Sequence, residues 1–440
     1  MVSNQRSAKP VCKKIPFQIE IFTISFLFFS MLASVLFAQD ISENTADSLK
    51  QQLLQLREQI KRLEQKQAQA ELQQLKQQAW QQASSTDEKP EPKSFKSGQR
   101  SLQALNPEIS VTGDAYLQGV LNEDGFSEAH RSGAYFRVIG LHIQSNLDPF
   151  SLTKIALEVT PEGIELGEAY VTWPNVLKNI SLTAGKFRQQ FGVLNRWHAH
   201  GLDQFEFPLA LTTILGEEGL NQIGFSAEWL MPAWWAHASA LTMQVTNGQN
   251  DHLFAGSLFS FPAVLAHLKN YYDVNPATYL EIGITGMVGE NNLRGFQDGQ
   301  RIDEKQRLTR LAGLDVTLLW EPLNKAHYHS FLWRSELYYA DKQLPLNQNI
   351  SALGGYSYAE FRFNEWLHAG LRLDYTQPFT IDNDGKYIYQ VVPYITWWQS
   401  HWVRLRLQYN YSDGNVPLQT RHLIRLQLTW AAGPHKHERY

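Results

Sequence analysis

The sequence predicts an all-β transmembrane barrel of about sixteen antiparallel strands, preceded by an N-terminal signal peptide and a helical coiled-coil segment. Three observations predict it. From Glu108 onward apolar residues recur with a period of two, in stretches of about ten residues, the length that crosses a bilayer on a tilt. The connections between these stretches alternate between long and polar, and short. Composition pairs a polar average, with mean hydropathy −0.35, with 12% aromatic residues, including 13 Trp and 18 Tyr. That pairing is odd for a cytosolic enzyme. It is ordinary for a barrel whose strands alternate lipid-facing and lumen-facing residues and carry aromatic girdles.

Charge and cysteine content exclude other classes. A formal net charge of −4 over 440 residues suggests neither nucleic-acid binding nor steering of acidic substrates. After the first 40 residues no apolar run approaches the ~20 residues of a membrane helix. The single cysteine, Cys12, lies in the leader. A mature chain without it has no disulfide and no cysteine-based zinc or redox site.

Residues 1–38 read as a signal peptide. Arg6, Lys9, Lys13 and Lys14 precede the apolar run 21–37, and Ala38 supplies a small residue for cleavage. Leu36 stands where a second small residue is usual. The rival reading is an uncleaved inner-membrane anchor, for which the run is slightly short. Residues 41–84 lack Gly and Pro and repeat Leu49, Leu53, Leu56, Ile60 and Leu63 at spacings of four and three, a coiled-coil seam. The phase slips at 67–70 and resumes at Leu72, Leu75 and Ala79. Such a helix is roughly 60 Å long and marginal in isolation; it makes most sense beside an oligomeric domain. The rival is a solvated single helix or disorder. Residues 85–106, rich in Pro, Ser and Lys, form a linker, and 107–440 form the barrel.

Within that domain the two faces of each strand differ. Ile109, Val111, Ala115, Leu117 and Leu121 share one side, Glu108, Thr112, Asp114 and Gln118 the other. Val403, Leu405, Leu407, Tyr409 and Tyr411 likewise oppose Arg404, Arg406, Gln408 and Asn410. Strands are expected at 109–121, 134–147, 152–160, 164–173, 180–191, 221–230, 234–245, 264–273, 277–288, 308–320, 327–340, 352–363, 366–376, 387–397, 401–411 and 421–430. Long polar connections fall at 122–133, 192–220, 246–263, 289–307, 341–351, 377–386 and 412–420, and short ones between them. This is the arrangement of long external loops and short periplasmic turns. The connection at 160–163 is short where a long one is due.

The longest connection, 192–220, sits between two well-marked strands, and a loop of that length in a compact fold is usually functional. It is expected to fold into the barrel and narrow a pore. It carries Asp203, Glu206, Glu217 and Glu218. Alternation places Arg362, Arg372, Arg404, Arg406 and Arg425 on the inward faces of the late strands. Lys154, Lys186 and Arg188, with Glu158 and Asp114, are expected inward on the early ones. A charge on the lipid face costs roughly 2–4 kcal/mol near mid-bilayer, so these residues should face water. An acidic loop opposite an arginine wall would set a transverse field across a wet constriction and sort solutes by charge. The constriction candidates are Lys186, Arg188, Asp203, Glu206, Glu217, Arg372, Arg404, Arg406 and Arg425. The plainer reading is that these charges only solvate the lumen and pair with one another.

Other chemistry is poorly supported. His198 and His200 near Asp203 could bind zinc, but His-x-His in a loop is a weak signal, and no metal is assigned. His142, Ser145 and Asn146 suggest a membrane-embedded esterase, but residues three apart on a strand face opposite sides, out of the reach that a nucleophile and base require. No phosphate loop and no nucleophile elbow is present. No enzyme activity and no cofactor is expected.

Residues 184–192 (AGKFRQQFG), Phe207-Pro208 and 219–224 (GLNQIG) together resemble the phosphate-selective porin O/P superfamily of Gram-negative outer membranes, as do the strand order and the aromatic C-terminus at Tyr440. The resemblance runs from about Pro107 to the end. It implies a sixteen-stranded barrel, a homotrimer, and an inward-folded third loop forming the eyelet; some members also carry an N-terminal coiled coil. Phosphate-selective members line the eyelet with basic residues, whereas this loop offers Arg196 against four carboxylates. The expected function is passive diffusion of small hydrophilic solutes or ions across an outer membrane, with outer-membrane lipid as the surroundings and the coiled coil in the periplasm. The alternative is a barrel plugged by its own loop, acting as an anchor or periplasmic spacer.

Overall fold

A computed structural model describes residues 107–121, 131–250, 252–255, 261–291, 295–297, 300–303, 307–323, 328–418 and 421–433. The expected signal peptide, coiled coil and linker lie outside the described residues, as does the C-terminal Tyr440. The strands are β1 (Glu108–Val120), β2 (Gly133–Asp148), β3 (Ser151–Thr160), β4 (Gly163–Leu177), β5 (Ile180–Arg188), β6 (Asn221–Met231), β7 (Ala238–Thr246), β8 (Ala263–Asn275) and β9 (Thr278–Glu290). A small hairpin, β10 (Gly295–Gln297) and β11 (Gln300–Asp303), follows. The chain continues through β12 (Leu308–Trp320), β13 (Ser330–Gln343), β14 (Asn349–Arg362), β15 (Leu367–Thr376), β16 (Ile388–Ser400), β17 (Val403–Gly414) and β18 (His422–Ala432).

All but the hairpin form one closed antiparallel barrel in which each strand pairs with its sequence neighbour and β1 closes on β18. Val111 pairs with Ala432 and Val120 with Leu423, so the seam runs the length of both strands. Closure leaves no edge to template further pairing. Alternation does the rest. Leu117, Phe225, Met243, Ile284, Leu371, Ile395 and Leu407 are exposed on the outside. Asp114, Gln118, Glu281, Asp315, Arg334, Glu336, Arg372 and Arg406 are buried on the inside.

Each of the sixteen expected strands is present, with shifted ends. β4 runs on to Leu177 rather than 173, through Pro174 and a ladder irregularity at Asn175 (φ 55°), and turns into β5 at Asn179 (φ 64°); asparagine tolerates this left-handed region better than most residues. β5 stops at Arg188 rather than 191, because Gln189 has already turned inward and its amide binds the Leu220 carbonyl. β7 begins at Ala238 rather than 234: Trp234 and Trp235 occupy the turn, with Trp235 Nε1 donating to Asn270 Oδ1 at 2.6 Å. The short 160–163 connection is real, since Thr160 pairs with Gly163.

The loop between β5 and β6 folds into the lumen and brings an apolar core with it. It contains short 3-10 turns at Leu194–Arg196 and Ala199–Gly201 and a helix, α1 (Leu209–Leu215). Phe191, Leu194, Leu202, Leu211, Ile214 and Leu215 are buried against Leu265, Met287, Leu311, Tyr338 and Tyr356 of the inner wall. Burying a leucine or isoleucine side chain is worth roughly 1.5–3 kcal/mol, so this face alone holds the loop inside. Beside its acidic residues the loop thus has a greasy face, and the wall from β8 to β14 is greasy to match.

Candidate pore site

The loop begins on a buried carboxylate. Glu336, from β13, accepts the amides of Val193 and Leu194 through Oε1 at 3.1 and 3.0 Å. Its oxygens also take the hydroxyls of Tyr356 at 2.5 Å and Tyr338 at 2.8 Å. The turn into this contact needs Gly192, whose φ is 63° and where an added Cβ would stand 1.8 Å from Glu336 Oε2. Asn195 ties the two ends of the loop together: Nδ2 donates to the carbonyls of Gln189 and Leu220, and Oδ1 accepts the Leu220 amide at 2.8 Å.

The middle of the loop is clamped by arginines. Arg404 donates to the His200 carbonyl, Arg406 to Leu202 at 3.0 Å, Arg137 to Phe205 at 2.6 Å, and Arg372 to Glu206 at 2.7 Å. Each is a charged donor on a backbone oxygen, the stronger kind of hydrogen bond. The Phe205 ring lies between two guanidiniums, Arg137 at 4.3 Å and Arg425 at 4.4 Å. The amide of Phe205 binds Gln408, Gln204 binds Tyr394 at 3.0 Å, and Asp203 takes the Tyr358 hydroxyl at 2.8 Å. Glu206 pairs with Arg425, is 3.9 Å from Arg372, and takes a hydrogen bond from Asn410. Burial alone would raise the Glu206 carboxyl; the Arg425 and Arg372 guanidiniums together outweigh it and hold the group below the ordinary carboxylate range.

Histidines hold the opposite side. His198 places Nδ1 3.0 Å from Glu158 of β3 and Nε2 2.9 Å from Glu168 of β4. Its ring meets those of His142 and His200 with centroids 5.0 and 5.6 Å away. Among the described residues no group of three or more His, Cys, Asp or Glu is arranged to hold a metal ion. His142 faces the lumen, while Ser145 bonds its neighbour's carbonyl.

The nine constriction candidates therefore separate. Asp203, Glu206, Arg372, Arg404, Arg406 and Arg425 meet along one seam, in direct contact rather than across a wet gap. Glu217 is exposed on the turn after α1, with Glu218 beside it. Lys186 is a correction. It pairs in register with Ala169 and Ile223, and Ile223 is exposed on the outer face. Its Nζ rests on the Leu166 carbonyl at 2.7 Å, outside the lumen. A bulge in β3–β4 beside Ala156 shifts the alternation there. Arg188 ends β5, lines the smaller cavity against β4–β7, and donates to the Glu218 carbonyl at 3.1 Å. Sequence reading missed Glu336, Arg137, Asn195 and the tyrosines Tyr338, Tyr356 and Tyr358. The wall residues among them were within reach of the same alternation.

Two cavities flank the loop. One of 870 Å³ opens toward the short-turn end, lined by Arg362, His368, Trp398 and Arg404 and roofed by His200 and Asp203. The other, of 240 Å³, lies against β4–β7.

No family model matches the chain. An uncharacterized protein of Aquifex aeolicus is 26% identical over 189 residues, covering 40% of this chain and 39% of that relative, so the match spans about two fifths of its length. Among solved structures, a loop-deletion mutant of OmpT, an outer membrane protein of Vibrio cholerae, aligns with TM-score 0.50 at 10% identity over 74% of this chain and 99% of its own. The in-vitro folded trimer form of OmpT gives the same TM-score, 0.50, at 10% identity, with 74% and 99% covered. At such identity the likeness is one of fold: the chain is a closed antiparallel barrel of the kind found in outer-membrane proteins.

Proposed function

We propose that this chain is an outer-membrane porin giving passive diffusion to small hydrophilic solutes or ions. The reading is carried by one observation: a closed sixteen-strand barrel, apolar outside and polar inside, has its longest connection folded into the lumen. A soluble protein gains nothing from that inversion, and a bilayer demands it. The short turns then face the periplasm, residues 1–38 act as signal peptide, and 41–84 form a periplasmic coiled coil through the linker 85–106. A homotrimer is proposed from the seam and from the resemblance to the phosphate-selective porin O/P superfamily; OmpT of Vibrio cholerae has been solved in a trimer form. Phosphate is not assigned, because the loop's own charges are mainly acidic. Asp203, Glu206, Arg372, Arg404, Arg406 and Arg425 act on conduction by fixing where the loop sits. Conductance of the purified chain in planar bilayers tests the reading, and discrete steps are expected.

A second reading is a plugged barrel that anchors its coiled coil as a periplasmic spacer. It is favoured by how widely the loop is bonded, from Arg137, Glu158 and Glu168 on β2–β4, through Gln244, Thr285 and Glu336, to Arg425 on β18. A correctly folded protein that stays electrically silent supports the anchor and removes the porin.

A further inference from the structure

The loop leaves the two sides of the lumen unequal. On the β15–β18 side Arg372, Arg404, Arg406 and Arg425 all bind loop oxygens. On the β8–β14 side an apolar core fills the space. Against β4–β7 a cavity of 240 Å³ remains, and its lining is polar: Thr172, Thr183 and Ser226 supply hydroxyls, Glu168, Glu228, Arg188 and Arg196 supply charge. A cavity of that size with several polar partners holds water.

Its charges differ in how they are matched. Glu168 is met by Lys154 at 3.2 Å and His198 at 2.9 Å. Arg196 reaches in from the loop, with Nη1 on Gln190 Oε1 at 2.9 Å. Glu228 pairs in register with Ser181 and Thr242, both of which line the same cavity, so it faces inward. Among the described residues no ion pair or hydrogen bond engages its carboxylate. Glu228 is exposed to that water, and an unmatched charge on the wall of a wet path sorts ions by sign.

We infer that solutes pass along the β4–β7 wall, and that Glu228 is the specificity-determining residue there, favouring cations against the opposing charges of Arg188 and Arg196. The inference rests on the porin reading and deepens it. The test uses the full chain in planar bilayers under a potassium chloride gradient. Glu228→Gln, which keeps the side chain's shape, should lower the cation-to-anion permeability ratio about twofold, the order expected for removing one charge from an aqueous passage. Glu228→Lys should lower it further, and Arg196→Gln should raise it. In a Cys12→Ser background, cysteine at Thr183 or Ser226 should react with a cationic methanethiosulfonate and reduce the current. Cysteine at Gln427, under the clamped side of the loop, should not react. A conducting protein whose permeability ratio ignores Glu228 and Arg196 overturns the inference while leaving the porin intact. So does reaction at 427 without reaction at 183 and 226. A silent wild-type protein overturns both.

Discussion

At the scale of single residues, the loop's position depends on groups that cannot be exchanged cheaply. Glu336 satisfies two loop amides and two tyrosine hydroxyls in a site closed to water. Glu336→Ala would orphan those donors, and each buried donor left unpaired costs about 1–3 kcal/mol. The loop should therefore loosen before the barrel does. Limited proteolysis at 196–206 is expected to become faster in Glu336→Ala, while the heat-modifiable shift of the barrel on gels is kept. Equal proteolysis in the two proteins would count against Glu336 as the anchor. Glu206 gives a pH dependence. Burial opposes ionisation, but the Arg425 and Arg372 guanidiniums outweigh it and hold the carboxyl below the ordinary carboxylate range. A depressed acid contributes stability that is present above the unfolded value and is lost as pH falls through the folded one. The clamp should hold at neutral and mildly acid pH and loosen only in acid below the ordinary carboxylate range, seen as excess current noise. Glu206→Gln should be noisy at neutral pH already and change less on acidification. Identical acid profiles in the two proteins would remove Glu206 from the clamp.

At the scale of elements, the strands were legible because their information is local. Period two, a length near ten and polar breaks all lie within a short window, and they located β8 and β12 as well as the clearer strands. The ends were less legible, since the bulge beside Ala156 and the early turn at Gln189 depend on partners distant in sequence. The loop was legible as an inward feature from its length, but not in its packing. α1, with seven residues, is too short to announce itself by a helical period, and its apolar face is read only against Leu265 and Met287. The arginine wall was legible as a set of inward positions; its partners were not, because they are backbone carbonyls, which carry no sequence signal. The difference changes the expected phenotype. If Arg404 and Arg406 formed a free charged wall, replacing both with Ala would shift the reversal potential toward cations. Bound to His200 and Leu202, they act mainly on geometry. The double variant is expected to show larger and noisier steps with little change in reversal potential. A clean shift without a change in step size would restore the free-wall picture.

At the scale of the whole molecule, the barrel and its plug are separable structures. Every barrel strand pairs with its two neighbours over most of its length, and β1 closes on β18 without help from the loop. The loop supplies none of that ladder; it adds a dry core on one wall and polar seams on the others. Two consequences follow from treating it as a passenger. Removing residues 199–215 should leave a barrel that folds in detergent with unchanged sheet content, because no ladder hydrogen bond is lost. It should uncover Leu265, Met287 and Leu311, at a loss of roughly 25 cal/mol for each Å² of apolar wall returned to water, so thermal stability falls without abolishing folding. Conductance should then rise several-fold, as an open lumen of this strand number forms an aqueous channel. The same variant separates the two functional readings. A porin conducts before the deletion and conducts more after it, whereas an anchor is silent before and conducts only after. Loss of the sheet signal on deletion would mean that the loop is part of the frame, and the separation of barrel from plug would fail with it.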